Sequence, residues 1–330
     1  MSAESRVEVK RARRSALLKL LLLIGVAAAI PVWFGYQAIE MFIAAQMAEF
    51  DFEAPSEDIA VERDIVFATT DDGLLDLNLY TPRDRPAEKL PLVVWVYGGG
   101  WFAGNKHQIQ ISGAYDLTRR GYAVAAISYR LSPVAPYPAQ IHDVKASIRY
   151  LRAHADELGL DTERIGIWGG SAGGHLAALM GVTNGNQQME GDVGGEALAG
   201  YSSDVAAVVN YFGPAELPTM HLDLGHDEPS YMVEMFIGGE LGEKRKVAVE
   251  ASPITWVSAS SVPMLHVHGI KDLIVPYEQS VRFHEALLKV GADSTLRTVE
   301  DGGHGNGGDF DKRDALIGEV ADFFDQHLKR

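Results

Sequence analysis

The sequence contains no cysteine. That excludes disulfides, zinc sites built on thiolates and cysteine nucleophiles. It suits an oxidising compartment without requiring one. Positive charge is scarce as well: 29 Lys and Arg stand against 45 Asp and Glu, a net charge of −16. The shortage is uneven. Residues 1–50 carry six basic and four acidic side chains, and the rest of the chain carries 23 and 41. A domain that acidic repels a phosphate backbone, so nucleic acid is not an expected partner. No H-E-x-x-H metal motif occurs. His266 and His268 alternate on one apolar run and read as core or supporting side chains, not ligands, so neither metal nor cofactor is expected. What remains is ample apolar material. At 330 residues and 47% hydrophobic, the chain can hold one large α/β domain or two small ones.

Arg6, Lys10, Arg11, Arg13, Arg14 and Lys19 precede an uncharged run from Leu20 to Ile39. Twenty helical residues span about 30 Å, the thickness of a bilayer's hydrocarbon core. Trp33 and Tyr36 lie near its far end, where amphipathic aromatics favour the interface. Basic residues before the run and acidic ones after it place the N-terminus in the cytoplasm. The expectation is a basic cytoplasmic segment at 1–19, a transmembrane anchor at 20–39, a linker at 40–57 and an extracytoplasmic domain at 58–330. Pro31 would kink the helix without preventing it from spanning. The alternative is a signal peptide cleaved after Ala27-Ala28-Ala29, with the domain secreted. The apolar run continues past that point through Ile30-Pro31, which favours the anchor.

Beyond residue 58 the pattern alternates. Ile65-Val66-Phe67 and Leu75–Tyr80 flank Asp71-Asp72-Gly73, a hairpin signal. Leu90–Val96 is a continuous apolar run, as a central buried strand should be. Strands are expected at Tyr122–Tyr129, Arg164–Trp168, Ala206–Phe212, Val262–Val267 and Thr295–Val299, and helices at Pro138–Leu158, Tyr277–Val290 and Phe310–Leu328. Such alternation predicts a mostly parallel sheet wrapped by helices. Two stretches break the rhythm. Thr183–Ser203 is rich in Gly, Asn and Asp and reads as a surface excursion. Residues 214–253 hold Met220, Tyr231, Met232, Met235 and Phe236, which suit either a lid over a cleft or ordinary packing.

The chemistry centres on Ile165-Gly-Ile-Trp-Gly-Gly-Ser171-Ala-Gly-Gly-His175. A β-branched run meets a glycine cluster with one serine in it, and a helical pattern comes next. That is the context of a G-x-S-x-G nucleophile elbow, in which Gly169 and Gly173 let strand and helix approach beside the serine. An acyl-transferring serine needs a base, an orienting acid and donors for the oxyanion. Asp272 follows the apolar run Val262–Val267, and His304 follows Thr295–Val299. The order Ser171, Asp272, His304 is that of α/β-hydrolases. In Tyr97-Gly-Gly-Gly-Trp101, Gly99 and Gly100 could aim backbone N–H groups at one point beside the N–H of Ala172. A glycine-rich phosphate loop is the rival reading. Neither cluster fits G-x-G-x-x-G, and His175 stands where a P-loop would need lysine.

From about residue 58 onward the chain resembles the α/β-hydrolase esterases related to hormone-sensitive lipase. It is most similar to the subgroup named for bifunctional feruloyl and acetyl-xylan esterases (BD-FAE). The stretches that carry the likeness include Tyr97–Trp101, Tyr129–Ser132, Ala135–Lys145, Trp168–His175, Tyr211–Pro214, Ala251–Thr255 and His268–Pro276. The resemblance implies an α/β-hydrolase fold with an eight-stranded, mostly parallel sheet. It implies Ser171 as nucleophile, His304 as base and Asp272 as its orienting acid, with Gly99, Gly100 and Ala172 forming the oxyanion hole. It also matches Trp168 to a tryptophan near the acyl site, though a core role would suit that residue as well; Tyr97 and Trp101 are further candidate pocket residues. Tyr97 departs from the family, which usually has His there to brace the oxyanion loop.

The activity so implied is hydrolysis of carboxylic esters, acetyl, feruloyl or other short acyl groups on a small molecule or polysaccharide, falling away below about pH 6–7 as a histidine base protonates. An inactive hydrolase fold used for binding, and an amide or peptide hydrolase with the same triad, are the alternatives.

Overall fold

The structure, a computed structural model, describes residues 55–329. The run at 20–39, expected to be an anchor, lies outside them. Among the described residues no helix is long and apolar enough to cross a membrane.

Eight strands form one sheet: β1 (Ile59–Thr70), β2 (Gly73–Pro82), β3 (Leu90–Val96), β4 (Ala123–Ile127), β5 (Leu160–Gly170), β6 (Ala207–Tyr211), β7 (Met264–Gly269) and β8 (Ser294–Val299). Their spatial order is β1-β2-β4-β3-β5-β6-β7-β8. The β1–β2 hairpin turns at Asp71-Asp72, and β2 runs antiparallel to β4. From β4 to β8 every neighbouring pair is parallel. The central strands are buried on both faces, which is why Leu90–Val96 and Ala123–Ile127 read as unbroken apolar runs.

The helices that matter for the site are α1 (Ala139–Ala153), α2 (Ala172–Val182), α3 (Tyr231–Ile237), α4 (Leu241–Glu250), α5 (Tyr277–Lys289) and α6 (Arg313–Leu328). Several boundaries differ from the expected ones, including those of the first long helix and of β5. The helix expected over Pro138–Leu158 ends at Ala153, because His154 leaves helical geometry at φ −106°, ψ 18° and a separate single turn comes after it. The strand expected over Arg164–Trp168 begins earlier, at Leu160, which pairs with Leu90 before a register shift brings Leu92 opposite Ile165.

Parallel strands share a direction, so their carboxyl ends lie along one edge of the sheet. Loops leaving β3, β5, β7 and β8 there carry Gly98–Trp101, Ser171, Asp272 and His304.

Candidate active site

Ser171 occupies the turn between β5 and α2 at φ 55°, ψ −123°, a conformation side-chain-bearing residues seldom adopt. Local packing holds it there. Its N–H donates to the Tyr211 carbonyl at 2.8 Å, and its own carbonyl accepts from His175 N–H at 2.9 Å. Neighbouring backbones pass very close. A Cβ on Gly169 would lie 2.3 Å from the Gly173 carbonyl group, and one on Gly173 would lie 2.1 Å from the Val96 carbonyl oxygen. Only glycine permits this approach.

The serine faces a histidine. His304 Nε2 lies 2.9 Å from Ser171 Oγ, and His304 Nδ1 lies 2.7 Å from Asp272 Oδ2. The second carboxylate oxygen, Oδ1, accepts N–H bonds from Ile274 and Val275, both at 2.9 Å. Burial opposes ionisation of Asp272. Hydrogen bonds from His268 and His304, the His304 charge and the Ile274 N–H outweigh it and hold the carboxyl well below the usual range. The carboxylate therefore stays ionised and fixes a proton on Nδ1 of His304, leaving Nε2 to accept from the serine.

Gly99 (φ 122°), Gly100 (φ 58°) and Trp101 (φ 63°) form the loop after β3. Among the described residues no acceptor takes the N–H of Gly99, Gly100 or Ala172. The loop is braced from below. Tyr97 is buried and its ring stacks on Tyr129 at 4.2 Å. Trp101 stacks on Phe236 of α3 at 4.3 Å and donates its indole N–H to His175 Nδ1 at 3.2 Å. His175 Nε2 in turn lies 2.7 Å from the Ala251 carbonyl, at the end of α4. Burial pushes His175 down to about 4, with the Ala251 bond opposing in part, so the ring stays neutral at ordinary pH.

Tyr97, Trp101 and Trp168, expected as pocket residues, are thus placed otherwise. All three are at most 4% exposed. Tyr97 and Trp101 sit under the oxyanion loop, and Trp168 packs in β5 edge-on to Tyr211 at 5.3 Å. Residues 214–253 supply both packing and cover: Phe236 is fully buried, while Met232 borders Gly100. Sequence patterning missed Phe212, whose ring lies 4.6 Å from that of His304, and Tyr129 as the partner of Tyr97. A cleft of about 750 Å³ opens elsewhere, between the β1–β2 turn and α1. It contains none of Ser171, His304 or Asp272.

The stretch Tyr129–Lys145 stiffens this arrangement. Arg130 grips Asp143 through its backbone N–H (2.8 Å) and guanidinium (2.7 and 3.0 Å). Gln140 donates to the carbonyls of Arg130 and Ala135. Ser132 N–H reaches the Trp101 carbonyl at 2.9 Å. Lys145 is buried and paired with Glu190 at 3.0 Å, which ties the excursion 183–203 to α1.

The sequence profile of one family, BD-FAE, matches residues 77–287. The chain belongs to the BD-FAE family. Among curated relatives, Esterase LipC of Mycobacterium tuberculosis is 30% identical over 239 residues, 72% of this chain and 58% of that protein. The chain spans roughly half the length of the curated relatives it matches, 58%, 45% and 51% for the first three. Among solved structures, a truncated carbohydrate esterase from gut microbiota is 33% identical, with a TM-score of 0.76 over 83% of this chain and 99% of that one. Esterase 2 of Thermogutta terrifontis, bound to propionate, is 27% identical, with a TM-score of 0.67 over 84% of this chain and 98% of that one. The BD-FAE match covers β3 to α5 and so includes the oxyanion loop, the elbow and Asp272; His304 lies beyond it.

Proposed function

We propose that this protein is a serine carboxylesterase acting through an acyl-enzyme on Ser171. The observation that carries the reading is the Ser171–His304–Asp272 line, at 2.9 and 2.7 Å, beside the N–H groups of Gly99, Gly100 and Ala172, which no acceptor takes among the described residues. His304 Nε2 takes the serine proton as Oγ attacks the ester carbonyl. The N–H groups bind the developing oxyanion. The imidazolium then gives its proton to the departing alcohol. Water, activated by the same nitrogen, releases the acid and restores the serine. Asp272 stabilises the imidazolium throughout.

The substrate class we propose is a short acyl ester, including acyl groups carried on carbohydrate. Family membership and the likeness to the gut carbohydrate esterase support the carbohydrate part. The test is Ser171→Ala assayed on p-nitrophenyl acetate, p-nitrophenyl butyrate, methyl ferulate and acetylated xylan. Loss of all turnover and of fluorophosphonate labelling is expected; full retained activity would overturn the assignment.

We further propose that residues 20–39 anchor the protein with residues 58–330 on the extracytoplasmic side. The charge asymmetry around that apolar run supports this. Carbonate extraction and the mass of the mature chain test it: release into the soluble fraction, or loss of about 30 residues from the N-terminus, would refute it.

A further inference from the structure

Asp272 is shared between two histidines. Its Oδ2 accepts from His304 at 2.7 Å and also faces His268 Nε2 at 3.2 Å. His268 stands near the end of β7, four residues before Asp272, and both side chains are fully buried.

One tautomer of His268 satisfies its surroundings. Nε2 faces two acceptors, Asp272 Oδ2 and the Val275 carbonyl at 2.9 Å, so it carries the proton. Nδ1 lies 2.7 Å from Ser280 Oγ on α5. The Ser280 hydroxyl has no other partner among the described residues, so it donates to Nδ1. His268 is then a neutral imidazole with both nitrogens engaged. It has no lone pair left for the Ser171 proton and cannot replace His304 as base. The titratable groups facing it are Asp272, His304 beyond that carboxylate, Tyr277 of α5 with its ring 5.7 Å away, and His266 two residues earlier on β7.

We propose that His268, set by Ser280, is a positioning residue for the Ser171–His304–Asp272 line. Its Nε2–H, which donates to the Val275 carbonyl, also faces Oδ2 at 3.2 Å and resists movement of the carboxylate away from the base. It also draws off part of the carboxylate's charge, which tempers the proton affinity of His304. Ile274 and Val275 hold the other oxygen. The inference rests on the proposed catalytic role of that line.

Without the His268 donor, the carboxylate keeps more charge towards His304, and the imidazolium is favoured to higher pH. His268→Phe should lower kcat about tenfold to a hundredfold, leave KM within about threefold, and move the acid limb of kcat/KM up by about half a pH unit. His268→Gln keeps an N–H donor and should recover most of both. Ser280→Ala weakens the donor without removing it, and should shift the limb in the same direction by less.

Folding is checked by circular dichroism and thermal melting. Should His268→Phe fail to fold, Ser280→Ala and His268→Gln decide. Folded variants with wild-type kcat and an unmoved limb would overturn the proposal. So would equal losses in Phe and Gln with an unmoved limb, which would mean packing alone. Wild-type protein that a fluorophosphonate leaves unlabelled at Ser171 would overturn the triad reading and this inference with it. An active, labelled wild type with unmoved variants overturns only this inference.

Discussion

Tyr97 and Tyr129 clasp each other: each hydroxyl donates to the other's carbonyl, at 3.1 and 3.2 Å, across rings stacked 4.2 Å apart and 12° from parallel. The pair joins the end of β3 to the loop after β4. Both phenols are buried, and burial pushes both far above their ordinary range, so neither ionises. The first residue of the oxyanion loop is thereby fixed to the stretch that Arg130, Asp143 and Gln140 anchor. Here the brace is aromatic and reciprocal, and it supports the loop without entering the site.

Tyr97→Phe leaves the Tyr129 carbonyl buried without its donor, which costs about 1–3 kcal/mol. The melting temperature should fall by several degrees. Tyr97→His removes the stack as well and should fall further. Differential scanning calorimetry of the two variants checks the order.

Asp272→Asn should keep the fold and lose catalysis. The amide can still accept from Ile274 and Val275, but an amide N–H facing His304 favours the wrong tautomer. A fall in kcat of roughly 10³–10⁴ is expected. Single-turnover acylation by p-nitrophenyl acetate measures it, and a fall of less than about tenfold would contradict the assigned role.

Acid should destabilise the domain through neutral buried histidines. Burial pushes His175 down to about 4 and His266 to about 3, while an unfolded histidine titrates near 6.5. The unfolded chain therefore binds these protons first. Stability is full above about pH 6.5 and falls as pH drops, until about 4 for His175 and about 3 for His266. Each proton steepens the loss by about 1.4 kcal/mol per pH unit. Urea midpoints measured from pH 7 to pH 4 should show it. A flat profile there would contradict the neutral, buried state of both rings.

Gly173→Ala should prevent folding, since the added Cβ would meet the Val96 carbonyl oxygen at 2.1 Å. Gly200→Ala, where nothing lies within 4 Å of the added carbon and φ is −84°, is the control and should be nearly neutral. Soluble yield and melting temperature distinguish the two.

Trp101→Phe removes the indole N–H that His175 accepts while keeping an aromatic ring against Phe236. It should raise KM little and lower kcat several-fold, because the oxyanion donors lie in the same loop. A change confined to KM would mean that Trp101 contacts substrate instead.

Much of this protein is determined by sequence alone, and for a local reason. Leu90–Val96 and Ala123–Ile127 are apolar throughout because parallel strands are covered on both faces. Strands in that setting end in loops at a common edge. Ser171, Asp272 and His304 each come just after such a strand, so their convergence is legible in the chain itself. The glycines at 169 and 173 are legible too, since the elbow's steric demand lies within five residues. Contacts between distant segments are not legible in this way. The partner of Tyr97 is 32 residues away and that of Trp101 is 135. Nothing in a run of residues says that both rings will turn down into packing instead of out to substrate. His268 is an intermediate case. Its spacing of four from Asp272 is written in the chain, but only the arrival of Ser280 from α5 sets its tautomer. Periodicity fixes which face a side chain points to. Its partner on that face is decided by the folded packing of the whole sheet.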